Sequence, residues 1–478
     1  MSCKNYLLLI GILNTVTMSY NDFGFVTRIG KFEEDMEKCF REHENHFGID
    51  ENNSPKLPFD QLKANFSSFY DIFMFISNTV KKEAGDGYKN EPKLEEELYK
   101  HAVWIYLVGS DNNGVKYHNF CHGMFVAYIT YEFLTDKTTL KDKPLTIAEG
   151  EKAMYVFAGL FHDAGHPGLG NGIYDIDKNH RENMIDHVCT RITKILPAVE
   201  LVQAPAINNI KALKKKSYGE KKFLLEDMHK ELALMTYKTL ILPRIRKNIH
   251  VKEFSKKGNI INSEEPVNPN YEKIISNSID RTNMGFSFDN DTEYILFRLN
   301  HAADIALNGM RDNKLVFLGI EKVYNEFFTE IYHMIRLEDE EGAKIKTFIQ
   351  AGENGDDTKL PGSVKQFVPT AMPSSFNQIF KKQVGFCNFL ILPHIEDFNS
   401  YQADIFTYIK DNLKNNVAIF QGKIDNADGK ELGTITANVM QQIKDEKEIN
   451  DPAIVSKLPY SRPSNASVSK AVTKILLI

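Results

Sequence analysis

An all-α, multi-helix bundle is the fold class this sequence predicts, on three observations. Two His-x-x-x-His pairs, His118/His122 and His162/His166, have the spacing that puts both side chains of a pair on one helix face. Apolar residues recur with a helical period from about Leu98 to Leu134, from Ala153 to Phe161 and again from Glu293. A capping-box pattern, Thr146-Ile147-Ala148-Glu149, opens the segment that ends in the second pair.

Taken in order, Gly30 to His46 and Phe66 to Lys82 read as amphipathic helices separated by a turn at Asn53-Ser54-Pro55. The helical pattern over 98–134 is interrupted at Asp111-Asn112-Asn113-Gly114, and the first His pair opens the helix after that turn. Pro167-Gly168 stops the helix holding the second pair. Residues 172–217 mix a helical piece with a Lys-rich stretch, and a helix runs from Leu224 through Leu242. Residues 246–285 read as a polar loop with turns, and 336–372 as a charged, Gly-rich loop. The last strong helix spans about Ser375 to Ile391, and periodicity fades beyond about Asp425.

The chain has 478 residues, 42% hydrophobic and 26% charged, the balance of a globular protein able to bury a core. A net charge of −6 without a basic stripe argues against a nucleic-acid partner. Cys3, Cys39, Cys121, Cys189 and Cys387 form no C-x-x-C pair and read as free thiols of a reducing, cytoplasmic compartment. The apolar run Tyr6 to Leu13 is too short to span a bilayer. It reads as an apolar helix or strand, with a targeting or membrane role as the alternative. No clear membrane span follows it.

A lone His on an apolar helix is more often a core or surface residue than a ligand. Here Glu226-x-x-His229 and His301-x-x-Asp304 accompany the two pairs and Asp163. Burying so many imidazoles and carboxylates without a partner is costly, and a metal centre removes most of that cost. Such a set points to a metal-activated water and a hydrolase. Gly168-Leu169-Gly170-Asn171-Gly172 follows a helix, not a strand, which argues against a dinucleotide loop.

Jointly, Tyr117-His118-Asn119-x-x-His122, His162-Asp163-x-x-His166-Pro167-Gly168 and His301-Ala302-Ala303-Asp304 resemble the class I 3′,5′-cyclic nucleotide phosphodiesterase catalytic domain, within the HD-type metallophosphohydrolases. Leu225-Glu226-Asp227-Met228-His229 and Lys382-Gln383-Val384-Gly385-Phe386 extend the resemblance, which covers roughly residues 60–420. It implies a catalytic domain over 61–425 with an insertion at 172–217 and a loop at 336–372, an N-terminal extension (1–60) and a C-terminal tail (426–478).

The resemblance implies hydrolysis of cAMP and/or cGMP to the 5′-monophosphate, ending a cyclic nucleotide signal. His122, His162, Asp163 and Asp304 would bind the tighter metal, Zn²⁺, and Asp163 would also reach a second, Mg²⁺ or Mn²⁺. A hydroxide bridging the two would attack phosphorus. His118 would be the general acid, oriented by Glu326, with His166, Glu226 and His229 around the metal-bound water. Tyr117, His118, Asp163, Asp304, Gln383 and Phe386 would contact substrate, Gln383 and Phe386 holding the base. The family also allows a homodimer. Another HD-type nucleotide phosphohydrolase, or an inactive cyclic-nucleotide-binding domain, remain as alternatives. Gly319 stands where the family often has an aromatic residue, and Ile305-Ala306-Leu307-Asn308 replaces its L-S-N-P.

Overall fold

The computed structural model describes residues 20–51, 54–85, 93–108, 115–136, 147–166, 224–245, 270–279, 291–336, 343–344, 347, 376–398 and 403–426. Among these residues the regular structure is helical, apart from one isolated bridge between Ile49 and Pro55. The chain runs α1 (Tyr20–His46), α2 (Phe59–Asn65), α3 (Ser67–Ala84), α4 (Leu94–Val108), α5 (Phe120–Thr135) and α6 (Glu149–Phe161). It continues with α7 (Leu224–Thr236), α8 (Asn270–Ile279), α9 (Asp291–Asp304), α10 (Asn313–Arg336), α11 (Phe376–Phe386), α12 (Leu392–Glu396) and α13 (Asp404–Asn426).

The centre is α5. All its residues from Phe120 to Leu134 are buried except Tyr131, so it is apolar all round rather than on one stripe. α6 packs along it, and α9 packs against both. Gly123 permits the close approach of α5 to α6, because a Cβ there would lie 2.6 Å from the Leu160 carbonyl oxygen. Around the start of α5 the core is aromatic. Phe47, Phe69, Phe73 and Tyr99 ring Phe120 with centroids 4.6 to 6.3 Å from its own, and Phe66 packs on Phe47 and Phe69. Offset and edge contacts of this kind add to the area each ring buries.

Several local expectations need correction. α6 starts at Glu149, with Ala148 as its N-cap, and it is the Glu151 carboxylate, not Glu149, that accepts from the Ala148 N–H at 3.2 Å. Alanine has no side-chain oxygen, so the box is half made. Within the stretch read as a polar loop, α8 is a helix. Its Tyr271, Ile274, Ile275, Ser278 and Ile279 are buried at helical spacing against α6 and α9. α13 was not singled out, although Ile405, Phe406, Ile409, Leu413 and Phe420 bury one face of it. The 172–217 insertion, nearly all of the 336–372 loop, the apolar N-terminal run and the tail lie outside the described residues. No described helix is long and apolar enough to cross a membrane.

Two helical segments pass through π turns, Tyr237–Ile241 after α7 and Cys387–Ile391 between α11 and α12. In the second, Cys387 and Ile391 are buried while Phe389 is 86% exposed.

The reading of Cys39 and Cys121 as free thiols is overturned. Packing of α1 on α5 brings their Cα atoms to 5.9 Å, and the pair forms a disulfide across 82 residues. Cys387 is a free, buried thiol, while Cys3 and Cys189 lie outside the described residues. Closing a loop of that length restricts the unfolded chain by about 4 to 5 kcal/mol on the chain-entropy argument. Urea unfolding with and without dithiothreitol should differ by about that amount. Equal midpoints would mean that the link contributes nothing.

Candidate functional site

Asn119 decides how the first His pair is presented. Its Oδ1 accepts from the Cys121 N–H at 2.9 Å, and its Nδ2 donates to the Val115 carbonyl at 2.9 Å. The side chain thereby caps α5, which begins at Phe120. His118 consequently stands in the turn before the helix and His122 in its first turn. The two rings lie 5.5 Å apart and nearly perpendicular, at 85°. The expectation that both share one helix face fails because the cap intervenes. The second pair is separated in the same way. α6 ends at Phe161, His162 is its C-cap, and the chain then turns through Gly165 at φ 75°, a conformation glycine adopts without strain. The expected Pro167-Gly168 stop lies outside the described residues.

These turns bring together residues from three helices. Ligand atoms of His122, His162, Asp163 and Asp304 all lie within 4.8 Å of one another. His122 Nε2 is 2.8 Å from Asp304 Oδ1 and 3.3 Å from Asp163 Oδ2, and His162 Nε2 is 3.0 Å from Asp163 Oδ2. The two Nε2 atoms are 3.2 Å apart. His162 Nδ1 faces the Gly159 carbonyl at 2.8 Å and donates its proton there, so Nε2 is the ring nitrogen that a cation would take in place of a proton. Two imidazole nitrogens and two carboxylates, all but Asp304 buried, form a donor set that a divalent cation fits in type and charge.

A second group lies beside the first. His118, His166 and Glu326 bring ligand-type atoms within 4.8 Å. Glu326, from α10, is 1% exposed. One oxygen accepts from the Tyr117 N–H at 2.7 Å and the His118 N–H at 3.2 Å, and the other meets His118 Nδ1 at 2.5 Å. One carboxylate thus fixes both the backbone and the ring of His118. His166 stacks on His118 at 4.1 Å, and His229 lies parallel to His166 at 5.7 Å while its Nδ1 faces the Ala164 carbonyl at 2.5 Å. The Tyr117 ring sits 4.6 Å from that of His122.

The field of the site favours positive charge. Burial pushes His162 down, but Asp163 and Asp304 more than offset it, and the imidazole is raised to about 10. His118 is likewise pushed down by burial and raised overall by Glu326, then by Asp163 and Asp304. Carboxylates that hold protons on buried imidazoles will equally hold a cation.

Gln383 and Phe386 stand on and at the end of α11. Gln383 Oε1 is buried without a hydrogen-bond partner among the described residues, and Phe386 is 37% exposed. Among the described residues, no hydrogen bond or ring contact joins either to the His/Asp cluster. Glu226 lies on α7, but its side chain lies outside the described residues.

Sequence reasoning gave no role to Asn300, which links all three ligand-bearing helices. Thr130 of α5 donates to its Oδ1 at 2.8 Å, and its Nδ2 donates to the Tyr155 carbonyl of α6 at 3.4 Å. The available signal was an amide one helical turn before Asp304, on the same face of α9. Asn300→Ala strands a fully buried Thr130 hydroxyl, at a cost of about 1–3 kcal/mol. It should also weaken divalent-cation binding measured by chelator competition. Unchanged cation affinity would leave Asn300 with a stability role alone.

No curated protein matches the sequence. The crystal structure of yeast caPDE2 is similar at a TM-score of 0.42 and 16% identity, covering 82% of this chain and 68% of that one. The family model of the 3′5′-cyclic nucleotide phosphodiesterases matches residues 117–413, more than half of the chain and a span that holds both His pairs, Asp304, Glu326 and Gln383. The chain belongs to the 3′5′-cyclic nucleotide phosphodiesterase family.

Proposed function

We propose that this protein hydrolyses cAMP or cGMP to the nucleoside 5′-monophosphate, with two divalent cations held at the His/Asp cluster. The observation that carries this reading is the placement of an oriented imidazole, His118, next to four convergent ligand atoms. His122, His162, Asp163 and Asp304 would hold the tighter ion, Zn²⁺, and Asp163 would be shared with a second, Mg²⁺ or Mn²⁺. When bound, the ions supply charge neutralisation of the phosphodiester and a lowered pKa for attacking water.

The remaining chemistry belongs to side chains. The ribose 3′ oxygen is a poor leaving group as an alkoxide, so a protonated imidazole beside it lowers the barrier. His118 suits that role: Glu326 fixes its Nδ1 and favours its protonated form, leaving Nε2 to donate the proton. His166 and His229, with Glu226, would hold the water that the cations activate. On the base side, the buried Oε1 of Gln383 is an acceptor waiting for a donor, and Phe386 offers a ring face. The amide can present either its oxygen or its nitrogen, which suits adenine and guanine alike.

The deciding assay incubates purified protein with cAMP and cGMP separately in Mg²⁺ or Mn²⁺ and follows 5′-AMP and 5′-GMP. Chelator-sensitive release of either establishes the reaction, and the ratio of rates gives the purine preference. Folded, metal-loaded protein that hydrolyses neither removes the reading. His118→Ala should keep its metal content and lose roughly 10²-fold or more in kcat, whereas retained turnover would exclude His118 as the acid. Asp163→Asn should lose the second cation and nearly all activity, and metal analysis showing both ions would rule out a shared ligand.

A further inference from the structure

His162 and Asp163 are neighbours in sequence, and neighbours on a helix do not face one another. Both reach the cluster only because the chain leaves α6 between Phe161 and Gly165. Leaving the helix strands backbone groups. The Ala164 N–H bonds the Phe161 carbonyl at 3.0 Å, so the Leu160 carbonyl loses the partner that a continuing helix would bring. The Gly159 carbonyl, which would accept from Asp163, is met by His162 Nδ1 at 2.8 Å.

One side chain from α4 answers both needs. The Tyr106 hydroxyl donates to the Leu160 carbonyl at 2.8 Å, and its oxygen receives the Asp163 N–H. The residue is 2% exposed, so neither bond competes with bulk solvent. The hydroxyl fits there because α5 has a glycine beside the ligand His122: a Cβ on Gly123 would collide with Tyr106 Oη. The phenol is thus wedged between the two helices that supply His122, His162 and Asp163, without belonging to either. Tyr99, earlier on α4, makes the same kind of bond elsewhere. It is fully buried, and its hydroxyl donates to the Leu57 carbonyl at 2.9 Å, ahead of α2 and not in a ligand-bearing turn.

We propose that Tyr106 is a positioning residue for the cluster, its hydroxyl holding the turn that aims His162 and Asp163 at one cation. Without that hydroxyl the Leu160 carbonyl and the Asp163 N–H are left buried and unmet. The turn then relaxes toward a continued helix, in which the two ligands diverge. The proposal rests on the reading that the cluster binds a divalent cation, and adds to it a residue from a helix that carries no ligand.

The test titrates Co²⁺, whose visible absorption reports ligand geometry, into the full-length protein and its variants, with thermal unfolding measured in parallel. Tyr106→Phe and Tyr99→Phe each delete one buried hydroxyl from α4, and both should lower Tm. Tyr106→Phe alone should weaken Co²⁺ binding, by roughly tenfold or more, and change the spectrum of the bound ion. Unchanged affinity and spectrum in Tyr106→Phe, or equal weakening in Tyr99→Phe, would reduce the hydroxyl to a structural bond and overturn the proposal. Unmodified protein that takes up no Co²⁺ would instead remove the cation-binding reading, and the proposal with it. Should Tyr106→Phe not fold, replacement of Tyr106 by p-aminophenylalanine decides the matter. The amine still donates to Leu160 but accepts poorly from Asp163, so the same weakening is expected, and unweakened binding overturns the proposal.

Discussion

Everything in this structure is arranged around a concentration of buried carboxylate charge that the protein must hold in place. Two carboxylates and two ring nitrogens converge within 4.8 Å in a mostly buried site, and the nitrogens themselves approach to 3.2 Å. Left to themselves, such groups would separate or take up protons, since isolated buried charge costs several kcal/mol. They stay because each comes from rigid structure: His122 from the first turn of α5, His162 and Asp163 from the end of α6, Asp304 from the end of α9. A cation turns this enforced proximity from a cost into a binding energy.

The rigidity has identifiable sources. α5 is buried on all sides, so it cannot roll without disturbing α6 and α9 together. Asn300 ties those three helices with side-chain bonds, and Gly123 lets two of them approach closely. Glu326 does the same for His118 from a distance of 208 residues in the chain, using both carboxylate oxygens. Aromatic packing around Phe120 and the Cys39–Cys121 link further brace the helix that carries His122.

Much of the site was legible because its chemistry needs particular residue types at short spacing. His118, His122, His162, Asp163 and Asp304 were readable from local motifs, and the structure brings them together. The inferred geometry was wrong in an instructive way. A spacing of four suggested shared helix faces, yet the Asn119 cap and the turn at Gly165 divide both pairs between helix and turn. Capping overrode periodicity, a contest that residue spacing cannot decide. The helix α8 was missed because its window, 246–285, is polar on average although its core face is regular. The disulfide was missed because its partners are 82 residues apart and meet only through the packing of α1 on α5.

The π turn at Cys387–Ile391 bears on how this chain can vary in length. A turn of this kind takes one residue more than the α turn it replaces while the helix on either side continues. Phe386 precedes it, the buried Ile391 ends it, and Phe389 within it packs against almost nothing. The surplus residue is therefore stored where neither the core nor the Gln383 face depends on it. A relative one residue shorter between Phe386 and Ile391 could close the bulge into an ordinary helix and keep both side chains in place. An evolutionary gap falling there would be structurally silent.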